Sequence, residues 1–111
     1  MKRITKEELK EMKDKGEDFE LINVLGEEVF EKEHIQGSIN IPSAKEFGDK
    51  IREKYPDKNT KIVVYCASFE CNASPAAAKR LEQMGYTNIY DYEGGMKDWK
   101  EAGYPIEGKE S

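Results

Sequence analysis

Two cysteines carry the chemistry that this chain can be expected to perform. Cys66 and Cys71 lie in one stretch, and a Ser-Pro pair follows at Ser74 and Pro75. A cysteine reacts as its thiolate, which nearby backbone N–H groups or a helix N-terminus stabilise. Cys66 is therefore a candidate nucleophile, although a free cysteine is also often a small buried hydrophobic residue.

The residues around Cys66 predict a strand, then a loop, then a helix. The run Ile62-Val63-Val64-Tyr65 is apolar and mostly β-branched, which favours a buried strand. Ser74 is a favoured helix N-cap and Pro75 a favoured first helical residue, so we expect a helix to begin at Ser74. A loop between the carboxyl end of a parallel strand and a helix N-terminus forms an anion-binding concavity. Cys66 is expected at the mouth of this concavity.

Predicted strands and helices alternate along the remainder of the chain. Thr5 and Glu8 form a capping box that predicts a first helix. Residues 19–25 and 88–92 are apolar enough for strands, and residues 27–32 are expected to form a short helix that turns Val29 and Phe30 inward. The alternation predicts an α/β fold in one domain, residues 1–111, with a mostly parallel central sheet and helices on both faces. Residues 108–111 are expected to be frayed.

Composition excludes several classes of function. The net charge of −5 argues against nucleic acid as the main partner. No apolar run reaches the length of a membrane span, and the first residues do not resemble a secretion signal, so we expect no membrane partner and a cytoplasmic location. Two cysteines and one histidine are too few for a structural zinc site, and we expect no metal and no cofactor. The histidine, His34, is expected to be a hydrogen-bonded loop residue with a structural role.

Three motifs, in order along the chain, resemble a known family. They are Leu21-Ile22-Asn23-Val24 with residues 34–42, Val63-Val64-Tyr65-Cys66, and residues 92–99 with residues 102–105. The chain resembles a single-domain rhodanese, a sulfurtransferase. The resemblance implies a rhodanese-like fold, Cys66 as the catalytic cysteine, and a loop that binds the substrate through Ala67, Ser68, Phe69, Glu70, Cys71, Asn72, Ala73 and Ser74.

The chain departs from the family pattern at the site. Asn23 stands where the family usually has Asp, and the loop after Cys66 usually ends in an Arg-Ser pair. If Ser74 matches that Ser, Ala73 takes the Arg position and the loop is two residues longer; counted from Cys66, Cys71 takes it. In either alignment the loop has no Arg or Lys and contains Glu70. We therefore expect a doubly charged donor such as thiosulfate to be used poorly.

The expected function is sulfur transfer, with sulfane sulfur carried as a persulfide on Cys66 and passed to a thiol or to cyanide. The expected partner is a small sulfur donor or a persulfide-bearing protein, and the oligomeric state is left open. Two alternatives stand beside it: a non-catalytic binding module with a rhodanese fold, and a thiol redox protein in which Cys71 resolves Cys66 by forming a disulfide. A phosphatase with a Cys and Arg loop is disfavoured, because the loop lacks the Arg that clamps phosphate.

Overall fold

The computed structural model describes residues 1–110, and a five-stranded parallel sheet forms its centre. The strands, in chain order, are β1 (Lys2–Arg3), β2 (Glu20–Asn23), β3 (His34–Ile35), β4 (Ile39–Asn40), β5 (Ile62–Tyr65), β6 (Ile89–Tyr92) and β7 (Ile106–Glu107). The central sheet has the order β1-β6-β5-β2-β4, and every neighbouring pair in it is parallel. Strands β3 and β7 form a separate antiparallel pair. The predicted α/β fold with a mostly parallel sheet is confirmed.

Five helices surround the sheet. They are α1 (Lys6–Asp14), α2 (Glu27–Lys32), α3 (Phe47–Lys54), α4 (Ala73–Gln83) and α5 (Gly95–Glu101). Side chains of α3 and α4 pack with Ile62 and Val64 in one hydrophobic core. Side chains of α1 and α5 pack with Val63 and Tyr65 in a second core. Because successive side chains of a strand point to opposite faces, β5 contributes to both cores, and helices cover both faces of the sheet as predicted.

The first helix begins where the sequence predicts. The backbone N–H of Glu8 donates to the Thr5 hydroxyl oxygen at 3.1 Å, and the Thr5 N–H donates to the Glu8 carboxylate at 3.0 Å. This reciprocal capping box satisfies two N–H groups that the helix leaves without partners. Among residues 1–110, no helix combines the length and the apolar composition that crossing a bilayer requires.

Two expectations for peripheral segments are wrong. Helix α2 buries none of its side chains, and Val29 is 49% exposed rather than turned inward. Phe30 is half-buried because its ring stacks on His34, outside either core. The C-terminal segment is not frayed as far as it is described, since the backbone N–H groups of Lys109 and Glu110 donate to carbonyls of residues 31 and 32. Ser111 lies outside the described residues.

Candidate functional site

Cys66 follows the last residue of β5, the strand at the centre of the sheet, and its side chain is fully buried. Helix α5 holds the backbone here: the N–H of Met96 donates to the Cys66 carbonyl, and the N–H of Lys97 donates to the Ala67 carbonyl, both at 2.9 Å. Gly95 permits this close approach, because a Cβ built on it would lie 2.4 Å from the Cys66 carbonyl oxygen. Hydrogen bonds from helix α5 therefore hold the backbone of Cys66, the nucleophile predicted from the sequence, in a fixed position.

Residues 67–72, here called the active loop, connect Cys66 to α4. The N–H of Cys71 donates to the Ser68 carbonyl at 3.0 Å, which closes a tight turn. Phe69 and Glu70 are exposed at the tip of this turn, and Phe69 is 68% exposed. The turn brings Cys71 back toward the sheet, where its half-buried side chain packs against the core cluster that contains Cys66. The structure thus brings together the two cysteines that the sequence singled out.

Ser74 is not the N-cap of the following helix, so that prediction is wrong. Helix α4 begins at Ala73, one residue earlier, and Asn72 caps it without a side-chain hydrogen bond. The Ser74 side chain is fully buried and its hydroxyl oxygen lies 3.4 Å from the Cys66 sulfur. A serine hydroxyl in the first turn can serve the helix backbone or a tertiary partner. Here it serves the thiol, and Ser74 belongs to the site for that reason.

The two thiols differ in acidity because their surroundings differ. Burial raises the pKa of the Cys66 thiol, and the neighbouring Cys71 thiol raises it further, against the opposing effect of Ser74. For Cys71, burial opposes ionisation, but the hydrogen bond from Cys66 and the backbone N–H groups of Ala67, Ala73 and Ser74 outweigh it and lower the pKa. Of the two thiols, Cys71 therefore ionises more readily than Cys66.

The surface around the active loop is apolar on one side and mixed in charge on the other. A cavity of about 340 Å³ next to Ala67 is lined mostly by apolar atoms, including those of Leu25 and Met96, and Lys97 and Lys100 also border it. A smaller cavity of about 130 Å³ brings Lys97 beside Phe69 and Glu70. The loop itself has no Arg or Lys. The positive charge of Lys97 next to the loop comes from helix α5.

Tyr65 and Asn23 fix the strand end that carries Cys66. The Tyr65 hydroxyl is buried and accepts from the Asn23 side-chain amide at 3.1 Å and from the Ile35 N–H at 3.0 Å, and it lies 2.8 Å from the Ser38 hydroxyl. The Asn23 side-chain oxygen in turn accepts from the Leu25 N–H at 2.9 Å. Asn23, which departs from the family pattern, therefore has a complete structural role through its amide.

His34 is hydrogen-bonded as expected, although it lies in strand β3 rather than in a loop. Its Nδ1 is 2.7 Å from the Phe30 carbonyl oxygen, and its ring stacks on the Phe30 ring at a centroid distance of 3.8 Å. Its Nε2 faces Glu107 at 3.8 Å. These partners belong to α2 and β7, and none of them is part of the active loop.

The sequence reasoning missed Asp91, a residue of β6. Its carboxyl group is fully buried, and neither oxygen has a hydrogen bond of normal geometry with the residues that the structure describes. Burial raises the pKa of this carboxyl, and the nearby Ser74 hydroxyl opposes that rise in part. A carboxylate in the middle of an otherwise apolar strand was the signal available in the sequence.

Comparison with known proteins agrees with this architecture. Residues 5–102 match the model of the family described as Rhodanese-like domain. The chain is 42% identical over 77 residues to the thiosulfate sulfurtransferase PspE of Escherichia coli (strain K12), covering 69% of this chain and 70% of PspE. It is 32% identical over 106 residues to the thiosulfate sulfurtransferase GlpE of Pseudomonas syringae, covering 96% of this chain and 92% of GlpE.

A solved structure has the same fold across nearly the whole chain. The BH2092 protein from Bacillus halodurans superposes with a TM-score of 0.86 at 26% identity, covering 98% of this chain and 78% of that protein. The family match, the relatives and the position of Cys66 after the central strand lead to one conclusion: the chain belongs to the rhodanese-like family and is a sulfurtransferase enzyme.

Proposed function

We propose that Cys66 carries sulfane sulfur as a persulfide and passes it to a thiol or to cyanide. The observation that supports this is the position of its sulfur, at the carboxyl end of the central parallel strand and beside the first turn of α4. In the first step the Cys66 thiolate attacks the sulfane sulfur, a new S–S bond forms, and the donor leaves with the electron pair of the broken bond. In the second step an acceptor attacks the outer sulfur and Cys66 leaves as a thiolate.

Backbone N–H groups of the active loop and of the start of α4 are the proposed binding site for the charged outer sulfur. In the resting protein the N–H groups of Ala67, Ala73 and Ser74 lie close enough to the Cys71 thiol to lower its pKa. An anion at this place is further stabilised by the N-terminus of α4. Loading therefore requires the outer sulfur to displace the Cys71 side chain. Because Cys66 is fully buried, the active loop must also open for the donor to reach it.

The test of this proposal is intact-mass measurement after incubation with a sulfur donor. The Cys71→Ser variant, and the unmodified protein when quenched early in the incubation, are expected to gain the mass of one sulfur atom, and cyanide is expected to remove it as thiocyanate. A Cys66→Ser variant is expected to gain none and to transfer none. Sulfur loading that persists in Cys66→Ser and disappears in Cys71→Ser would assign the carrier role to Cys71. A chain that loads no sulfur in any form would favour the binding-module alternative.

The contact between the two thiols supports a second activity, sulfide release. In this reaction the Cys71 thiolate attacks the inner sulfur of the Cys66 persulfide, a Cys66–Cys71 disulfide forms, and hydrosulfide leaves with the electron pair. The sulfane sulfur is reduced and the two thiols are oxidised, so no outside oxidant is needed, and a thiol reductant restores the pair. The observation that favours it is the inward-facing Cys71 side chain, whose thiolate is stabilised beside Cys66.

Sulfide release is tested by loading the protein, removing the donor and withholding any acceptor. The unmodified protein is expected to release hydrosulfide and to yield a Cys66–Cys71 disulfide in peptide mapping. Cys71→Ser is expected to stay loaded as the persulfide. A stable persulfide on the unmodified protein, with Cys71 still a free thiol, rules out the resolving role.

The donor that we propose is a neutral or protein-bound persulfide rather than thiosulfate. PspE and GlpE are named thiosulfate sulfurtransferases, but the active loop of this chain offers no cation and carries Glu70. The cavity beside Ala67 exposes mainly apolar surface, which favours an uncharged group, although Lys97 and Lys100 also line it. We further propose that the chain acts as one rhodanese-like domain, residues 1–111, in the cytoplasm, without a cofactor and without a nucleic acid or membrane partner.

A further inference from the structure

We propose that Asp91 accepts the Cys66 proton through the Ser74 hydroxyl when sulfur is loaded, and returns the proton when sulfur is delivered. The proposal rests on the proposed function of Cys66. Asp91 lies on β6, the strand that pairs with β5, and its register partner there is Val64. Its side chain is fully buried, and neither carboxylate oxygen is hydrogen-bonded within residues 1–110. Such a group costs free energy, so its presence needs a reason.

A structural ion pair does not supply that reason. Arg3 is the cation that acts on Asp91 electrostatically, and Glu93 is the neighbouring anion. The Arg3 side chain, however, is 68% exposed and forms its salt bridge with Glu93 instead. Asp91 is thus left with Ser74 as the polar side chain beside it. The cost of burying the carboxyl is not offset by a charged partner.

The remaining neighbours are buried polar groups: Ser74 lies within hydrogen-bonding distance of Cys66, and its hydroxyl is near enough to Asp91 to oppose the rise in the pKa of that carboxyl. The Cys66 sulfur lies 3.4 Å from the Ser74 hydroxyl oxygen, and its proton turns to that oxygen when the Cys71 side chain is displaced on loading. A hydroxyl that accepts from a thiol still has its own proton to donate. The Asp91 carboxylate has no hydrogen bond at rest with the residues that the structure describes, so the Ser74 hydroxyl must move toward it for the proton to pass. All three residues are fully buried, so a proton that leaves Cys66 is shielded from water along this route. Asp91 acts through Ser74 and is a positioning residue rather than a catalytic one.

The route balances protons and electrons in both directions. As the Cys66 sulfur attacks the donor, its S–H bond breaks and the electron pair stays on the sulfur that forms the new S–S bond. The proton passes to the Ser74 oxygen, and the Ser74 proton passes to Asp91, which becomes a neutral acid. On delivery, Cys66 leaves as a thiolate and takes the proton back by the reverse path. No oxidant or reductant takes part.

Burial gives this route a chemical purpose. It raises the pKa of the Cys66 thiol, so the nucleophile rests in its protonated form and needs a base. Burial also raises the pKa of Asp91 toward the range in which a carboxylate is an effective base near neutral pH. The Ser74 hydroxyl and Arg3 oppose the second shift, and Glu93 adds to it.

The test is the pH dependence of single-turnover sulfur loading in a Cys71→Ser background, where one thiol remains to react. The parent is expected to load at a nearly constant rate through neutral pH. Asp91→Asn is expected to load about a hundred-fold more slowly at neutral pH, the usual contribution of a positioned base, and to approach the parent at alkaline pH. Ser74→Ala is expected to give the same profile, and the double variant no further loss. Glu53→Gln, which removes an exposed negative charge that does not act on Asp91, is expected to keep the parent profile.

Unchanged pH profiles in Asp91→Asn and Ser74→Ala, with only their melting temperatures altered, would overturn the proposal and leave Asp91 with a structural role. If Asp91→Asn does not fold, Ser74→Ala decides by the same criterion. The rate at which iodoacetamide alkylates Cys66, measured against pH in the same variants, is an independent readout because it needs no sulfur transfer. A parent that never forms a persulfide, but whose Cys66 alkylation loses its plateau in Asp91→Asn, would refute the proposed function while supporting the proton route.

Discussion

Gly95→Ala is expected to displace Cys66, the proposed sulfur carrier, although Gly95 lies on helix α5 and Cys66 follows strand β5. Gly95 has a φ of +66°, where a side chain costs about 1–2 kcal/mol. The added Cβ would lie 2.4 Å from the Cys66 carbonyl oxygen and 2.9 Å from both the Ala67 carbonyl carbon and the Ser68 nitrogen. These are backbone atoms, so the chain must move rather than a flexible side chain.

The movement weakens the two hydrogen bonds by which Met96 and Lys97 hold the Cys66 and Ala67 carbonyls. Each such bond contributes about 1 kcal/mol. With the cost of the positive φ, the free energy of unfolding is expected to fall by roughly 3–4 kcal/mol, a large part of a small domain's stability. Because Cys66 shifts relative to Ser74, sulfur loading per folded molecule is expected to fall at least about ten-fold, which corresponds to a change of about 1.4 kcal/mol in the activation barrier.

A matched control is available at the other end of the same helix. Gly103 also has a positive φ, +78°, but nothing lies within 4 Å of a Cβ built on it. Gly103→Ala should therefore show the cost of backbone strain alone, about 1–2 kcal/mol, with loading unchanged. At roughly 4 °C per kcal/mol for a domain of this size, Gly95→Ala should melt about 8 °C below Gly103→Ala. Equal melting temperatures and equal loading would show that the contact with the active loop does not position Cys66.

Three further outcomes are expected. Thiosulfate should be a poorer donor than a neutral persulfide at matched concentration, since the active loop carries Glu70 and no cation; a clear preference for thiosulfate would show that Lys97 serves the site. His34→Ala should lower the free energy of unfolding by about 2 kcal/mol, through the lost hydrogen bond and ring stacking with Phe30, while turnover per folded molecule stays near the parent value. Asp91→Asn should stabilise the protein at neutral pH. Folding raises the pKa of the Asp91 carboxyl, so the stability that this group contributes is fully present below its unfolded-state pKa and is lost as the pH rises through its folded-state pKa. At neutral pH the buried group therefore costs free energy that the neutral Asn side chain avoids. Chemical denaturation of both proteins at acid and at neutral pH measures this gain in the free energy of unfolding. A gain of equal size at the two pH values would contradict the raised pKa of Asp91.

Features set by neighbouring residues were predictable from the sequence. The capping box of α1 needs only Thr5 and Glu8, and the apolar run at 62–65 is long enough to indicate a buried strand. The order of these elements, read with the family motifs, also placed Cys66 at the strand end. Each of these signals comes from residues within one element, where periodicity and capping rules act.

Features set by tertiary contacts were not predictable in this way. The sequence indicates an N-cap at Ser74, but the side chain of Cys66, brought close by the sheet, takes the hydroxyl instead. The burial of Asp91 depends on the strand and helix that cover it, so its type alone suggested exposure. Strands β3 and β7, which pair with each other, lie more than sixty residues apart in the chain. Each has only two residues, too few for an alternation of apolar and polar side chains to indicate a strand.

The position of Cys66 places the sulfur at a boundary of local stability. Every residue of β5 is paired on both sides, with β2 and with β6, so its amide hydrogens should exchange with solvent only when the whole protein unfolds. The active loop has an exposed tip at Phe69 and Glu70 and belongs to no strand or helix, so its amides should exchange through much smaller openings. The Cys66 thiol, which is closed to solvent in the resting state, can thus become accessible when the active loop opens. Such a local opening costs only a fraction of the global unfolding free energy, and strand β5, which positions the thiol, stays folded.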